Sequence, residues 1–175
     1  MIYKFLDKTP NTQKAVFIAD SAEIAGDVTL EEDVTVWFNT ALRGDIAPIV
    51  IGKGTNIQEG TVLHVDYDTP VIIGDNVTIG HGAIVHGAKI GDRCLIGMGA
   101  IILNNTKIGE GSIVGAGALV TEGKTFPPKS LIIGSPAVVK RAVTEAETEK
   151  MKKNNDVYIE LGKEFAKNTI STKDK

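Results

Sequence analysis

A chain of 175 residues accommodates one ordinary domain with a real core and at most an appendage. Isoleucine and valine number 37 against 9 leucines, with 19 glycines and 9 aromatic residues, a balance that favours short pleated strands with frequent turns over an all-helical bundle. A formal net charge of -3 gives no electrostatic footprint for nucleic acid and no polybasic membrane surface, and so points to a small, weakly charged partner.

The opening Met1-Ile2-Tyr3-Lys4-Phe5 lacks the apolar run of a signal peptide, and no stretch reaches the roughly 18 to 20 apolar residues of a spanning helix. A cytoplasmic protein without membrane contact is expected. The single cysteine, Cys94, cannot form an intrachain disulfide and reads as a small buried residue.

A six-residue period then organises the chain. Ile18, Ile24, Leu30, Val36 and Leu42 are spaced by six, followed by Ile51, Ile57 and Leu63, then Ile73, Ile79 and Val85. From Ile90 the same step gives Ile96, Ile102, Ile108, Val114, Val120, Phe126, Ile132 and Val138. Four residues after many of these lies a smaller slot, filled by Val28, Val34, Cys94, Ala100, Thr106, Ser112 and Ala118, and glycine commonly follows the large residue. One large and one small residue every six is the pattern of short strands that turn a corner at each repeat and stack as a parallel β-helix, with coils about 4.8 Å apart. The spacing assigns residues 1–140 to this domain.

Beyond it, residues 141–175 carry 8 basic and 7 acidic side chains, with Tyr158, Leu161 and Phe165 at helical spacing. These predict an amphipathic C-terminal helical appendage that packs along the prism or against a neighbouring chain. Thr144 is the expected N-cap, with Glu147 three residues on, and Asn154-Asn155 is a candidate break between two helices.

Three extra residues between Leu42 and Ile51, four around Asp66 to Pro70, and one missing between Val85 and Ile90 interrupt the period. Counting through them makes Leu42, Leu63, Val85 and Ile102 equivalent, so Arg43, His64, His86 and Leu103 form a column. His64 and His86 then stack about 4.8 Å apart at the backbone, close enough for both imidazoles to reach one ion at roughly 2.0–2.1 Å each. The third histidine, His81, follows Ile79 in a different side of the coil and does not reach that point within one chain. A neighbouring subunit about a three-fold axis would bring it there, completing three imidazoles with open positions for water. The plain alternative is three unrelated hydrogen-bonding histidines.

The repeat resembles the left-handed β-helix of the hexapeptide-repeat proteins over roughly residues 12 to 140. The segments Arg43-Gly44-Asp45, Asn56-Ile57-Gln58-Glu59-Gly60, His64, Gly80-His81-Gly82 and His86-Gly87 resemble, more specifically, the motif set of the gamma-class carbonic anhydrases. That resemblance implies an all-β, left-handed parallel β-helix with a C-terminal α-helix, assembled as a homotrimer. It implies metal ligation by His64 and His86 of one chain and His81 of the next, with zinc as the cofactor and ferrous iron or cobalt as alternatives. The implied reaction is hydration of CO2 to bicarbonate by a metal-bound hydroxide. Gln58 would orient that hydroxide, Arg43 and Asp45 would help hold the inter-subunit site, and Glu59 stands where the family has an acidic partner for the arginine. Arg43, Asp45 and Glu59 read equally as a trimer salt bridge. Asn56 reads also as a corner residue, and Tyr158 resembles a pocket-lining tyrosine of some members.

The family's founding type carries a long acidic loop that shuttles protons, whereas the insertion here is short, Val65 to Pro70, and Ile46 follows Asp45 in place of a glutamate. Asp66 and Asp68 are candidates for proton transfer or simple turn residues. An acyl-thioester hydrolase or a hexapeptide acyltransferase on the same fold, and a non-catalytic metal-stabilised trimer, are the competing functions.

Overall fold

A computed structural model describes residues 1–168, so the last seven residues of the expected appendage lie outside the description. Strands mostly two or three residues long stack in parallel on three faces of a prism. The first face runs through the start of Ala41–Ile51, then Val62–His64, Ile84–His86, Ile101–Ile102 and Leu119–Val120. The second takes the end of Ala41–Ile51, then Val71–Ile73, Ala88–Ile90, Thr106–Ile108 and Thr125–Phe126. The third stacks Phe17–Ile18, Thr35–Val36, Asn56–Ile57, Thr78–Ile79, Leu95–Ile96, Ile113–Val114 and Ser130–Gly134. Glu23–Leu30 and Ala41–Ile51 pair with each other and round the corner between the first two faces, with a register shift that absorbs the extra residues after Gly44.

The large residue of each repeat fills the prism. Ile24, Leu30, Leu42, Ile49, Ile51, Ile57, Leu63, Ile73, Ile79, Ile96, Ile102 and Ile132 are fully buried, each contributing roughly 1.5–3 kcal/mol of transfer free energy. The small slots are buried too, Cys94 among them; burial pushes its thiol up to about 11, which leaves it inert. Corners repeatedly use a left-handed residue. Asp33, Asn39, Asn76 and Asn105 take positive φ where no glycine is present, as short polar side chains tolerate.

The period ends one repeat earlier than its spacing predicts. Val138 is 60% exposed, because the chain reverses after Gly134 and Ala137–Ala142 runs back antiparallel along Ser130–Gly134. That final strand closes the end of the prism, and the helix follows at Glu145. Its N-terminus is a capping box: Thr144 N–H donates to Glu147 Oε2 (2.9 Å) and Glu147 N–H to Thr144 Oγ1 (3.3 Å).

The helix Glu145–Asn168 is continuous, contrary to the break expected at Asn154-Asn155. Asn155 is buried and its Nδ2 donates to the Gly54 carbonyl (2.8 Å), so its weak helix propensity is offset by a tertiary bond to the prism. Tyr158 and Phe165 both pack edge-on against Trp37, at 5.6 and 5.2 Å between ring centroids. Leu161 is turned largely outward.

Candidate metal centre

The column counted from the repeat is present. Arg43 pairs with His64 and His64 with His86 in the first-face ladder, and the two imidazole centroids are 4.8 Å apart. His64 Nδ1 and His86 Nε2 face each other at 2.9 Å. Two imidazoles on a tetrahedral ion with bonds of about 2.0–2.1 Å place their nitrogens about 3.3–3.4 Å apart, so an ion would need the rings to part slightly.

The outer nitrogens decide what the inner ones carry. His64 Nε2–H donates to Asp45 Oδ1 (3.2 Å), since the other tautomer would aim a lone pair at a carboxylate. His86 Nδ1–H donates to Asn104 Oδ1 (2.5 Å), and Asn104 Nδ2 in turn donates to Asp66 Oδ2 (2.9 Å). Both outer nitrogens are thus engaged, and the two inner nitrogens are turned toward one point. One proton shared between the two nitrogens satisfies this contact, and the same donor set fits a divalent cation. Burial, and then the Arg43 charge, hold His64 below the ordinary histidine range, against the opposing pull of Asp45. Its inner nitrogen is therefore unprotonated at neutral pH.

Arg43 Nη1 donates to Asp45 Oδ2, while Asp45 Oδ1 also accepts from the Ile46 amide (3.1 Å). Burial alone would raise the Asp45 carboxyl, but these hydrogen bonds, Arg43 and His64 hold it below its ordinary value. A single short network thus joins three of the sequence-marked residues.

His81 lies elsewhere, on the corner after Thr78–Ile79, with Nδ1 2.6 Å from Glu59 Oε2. Among the described residues, no three His, Cys, Asp or Glu side chains within one chain form a metal-holding group. His81 lines an open groove of about 380 Å³ with Gln58, Asn154 and Tyr158 at its polar side and Leu95, Met98, Ile113 and Ala116 along its apolar side. Gln58 Nε2 donates to Asn56 Oδ1 (3.1 Å), and Asn56 Nδ2 donates to Thr78 Oγ1 (2.9 Å). This fixes the Gln58 amide with its oxygen left as an acceptor. Burial, and then the Glu59 charge, raise the Tyr158 hydroxyl above the ordinary tyrosine range, so the phenol is protonated at neutral pH.

The structure therefore forms two separate clusters of these residues. His64, His86, Arg43 and Asp45 are together on the first face, while His81, Glu59, Gln58, Asn56 and Tyr158 are together around the groove. Asp68 lies at the tip of the turn with positive φ. Asn104 was not marked by the sequence reading, which stopped at Leu103 in the same column. One residue further, the register sets this polar side chain beside the corner that follows His86.

The profile of the bacterial transferase hexapeptide (six repeats) family matches residues 87–122. A carbonic anhydrase of Geobacillus kaustophilus is 46% identical over 165 residues, 94% of this chain and 91% of its own length. The mitochondrial gamma carbonic anhydrase 2 of Arabidopsis thaliana is 37% identical over 89% of this chain and 58% of its own length. A crystal structure from Bacillus cereus, described as a candidate acetyltransferase, superposes with a TM-score of 0.94 at 42% identity, covering 97% of this chain and 98% of that one. Identity at this level across nearly the whole prism places the chain in the gamma-class carbonic anhydrase family, on its left-handed β-helix of hexapeptide repeats.

Proposed function

We propose that the protein hydrates CO2 to bicarbonate at divalent-metal sites between neighbouring copies in a homotrimer, each site using His64 and His86 of one chain and His81 of the next. The observation that carries this reading is the pair of inner nitrogens 2.9 Å apart, each ring held from its outer side by a hydrogen-bonding partner. Zinc suits three imidazoles and an open position, with cobalt and ferrous iron as alternatives. A bound divalent ion lowers the pKa of a coordinated water far below that of free water, to about 7.

The chain's own residues supply the rest. Asp45 and Asn104 hold the two imidazoles in the ligating tautomer, and Glu59 sets its carboxylate against His81 as a charge partner. Gln58, its amide fixed by Asn56, offers its oxygen to a water O–H and so orients that water toward the carbon of CO2. The apolar wall from Leu95 to Ile113 suits an uncharged substrate, and Tyr158 closes the polar side as a neutral hydrogen-bonding group. Arg43 balances Asp45 where the chains would meet.

The same groove is larger than CO2 requires, which favours an acyl-thioester hydrolase as the second reading. Purification without chelator, metal determination and stopped-flow CO2 hydration test the first. We expect about one metal per chain and hydration that is lost in His86→Ala together with the metal. Absence of metal under all loading conditions would overturn the reading. Metal without hydration, accompanied by acyl-coenzyme A hydrolysis, would transfer the site to the second.

A further inference from the structure

His86 is positioned by a relay that starts in the short insertion. Asp66 and Thr69 exchange backbone hydrogen bonds across a tight turn (3.3 and 3.0 Å), and Asp66 Oδ1 accepts from the Tyr67 amide (2.8 Å). This leaves Asp66 Oδ2 aimed at Asn104, which lies on the coil beyond His86.

The direction of the relay is determinate. A carboxylate accepts and does not donate, so Asn104 must turn its NH2 to Asp66 and its oxygen to His86. That oxygen accepts only, so His86 must carry its proton on Nδ1. Gly87 makes room for the contact: a Cβ there would lie 2.7 Å from Asn104 Oδ1 and 2.5 Å from Thr69 Cγ2, and its φ of +57° is itself unfavourable to other residues. Three segments from successive coils thus converge on one ring nitrogen.

We propose that Asp66 and Asn104 act as positioning residues that fix His86 in its Nδ1–H tautomer and thereby set how tightly the inner nitrogens bind a divalent cation. The affinity half rests on the metal reading above, while the tautomer half stands without it. Outer partners of this kind change metal affinity by about 10- to 100-fold when removed. The relay also gives the insertion a role other than proton export: Asp66 is committed to Asn104.

Long-range 1H–15N correlation spectra of the metal-free protein read the His86 tautomer, and chelator competition with Co2+ reads the affinity. Wild type should show Nδ1–H on His86. Asn104→Leu should mix the tautomers and weaken Co2+ binding about 10- to 100-fold, with circular dichroism confirming an intact fold. The exchanged pair, Asp66→Asn with Asn104→Asp, reverses the hydrogen bond between the two residues but keeps an acceptor oxygen for His86 Nδ1–H and for the Tyr67 amide, and should restore both readouts. An Nε2–H tautomer in wild type, or a tautomer and affinity unmoved by Asn104→Leu, would overturn the proposal. A fixed wild-type tautomer that responds to Asn104→Leu in a protein that binds no Co2+ would support the tautomer half and overturn the affinity half together with the metal reading.

Discussion

Glu59 Oε2 lies 2.6 Å from His81 Nδ1 as a charge partner without hydrogen-bond alignment, whereas Asp45 Oδ1 is hydrogen-bonded to His64 at 3.2 Å. A carboxylate in that place raises the basicity of the opposite nitrogen through its charge. Glu59→Gln keeps the shape and removes the charge, so in the proposed site it should weaken metal binding about 10- to 100-fold while leaving the melting temperature nearly unchanged. Equilibrium dialysis against Co2+ checks this, and unaltered affinity would reduce Glu59 to a surface partner of His81. The stacked histidines were legible in the sequence because a repeat converts spacing into position: once Leu42, Leu63 and Val85 are equivalent, Arg43, His64 and His86 have to stack. Asn104 was not legible, since its role depends on a side chain that crosses a corner into the space left by Gly87. Periodicity records which residues point inward and says little about where corner side chains reach.

At the scale of elements, the same distinction separates the strands from the helix. Internal positions followed the period because each large residue has only the prism interior to occupy, and Val138 departed from it because the chain turns back where no further coil supports it. The helix obeys a partner surface as well as its own pattern. Its buried face is Met151, Asn155 and Gly162, whereas Val157, Leu161 and Phe165, spaced by four, are exposed by more than a third. Gly162 marks the closest approach, where a Cβ would lie 2.3 Å from Thr35 Cγ2. Thr35 cannot easily swing aside, because its Oγ1 accepts from Trp37 Nε1 (3.1 Å) in the buried seam under the helix. Glycine to alanine inside a helix ordinarily stabilises by about 1 kcal/mol. Here overpacking of about 1–3 kcal/mol opposes that gain, so Gly162→Ala should lower stability by up to about 2 kcal/mol. Thermal unfolding decides the sign, and a raised melting temperature would mean that the helix floats on the prism instead of seating against it.

For the whole molecule, the first face binds two questions together. Residues two apart on a strand point the same way, so Val62 and Ile84 share the outer surface with His64 and His86. The ladder Ala41, Val62, Ile84, Ile101 and Leu119 is apolar from coil to coil, with Val62 and Ile84 39% and 38% exposed. A continuous apolar ladder of this kind suits a contact surface, and in the proposed assembly the chain that brings a third imidazole to His64 and His86 would also cover it. In the proposed homotrimer, assembly and metal binding are therefore one event. Ile84→Asp places a charge on the ladder without touching a ligand or the prism interior, so the isolated coil should lose only about 0.5 kcal/mol. Each of the three interfaces, by contrast, would bury an unpaired carboxylate. Sedimentation should then give the mass of one chain where wild type gives three, with the β-rich circular dichroism retained and bound metal lost in parallel. A single chain that still held metal at wild-type affinity would mean that His64 and His86 need no partner, and a trimer that survived the substitution would move the interface to another face.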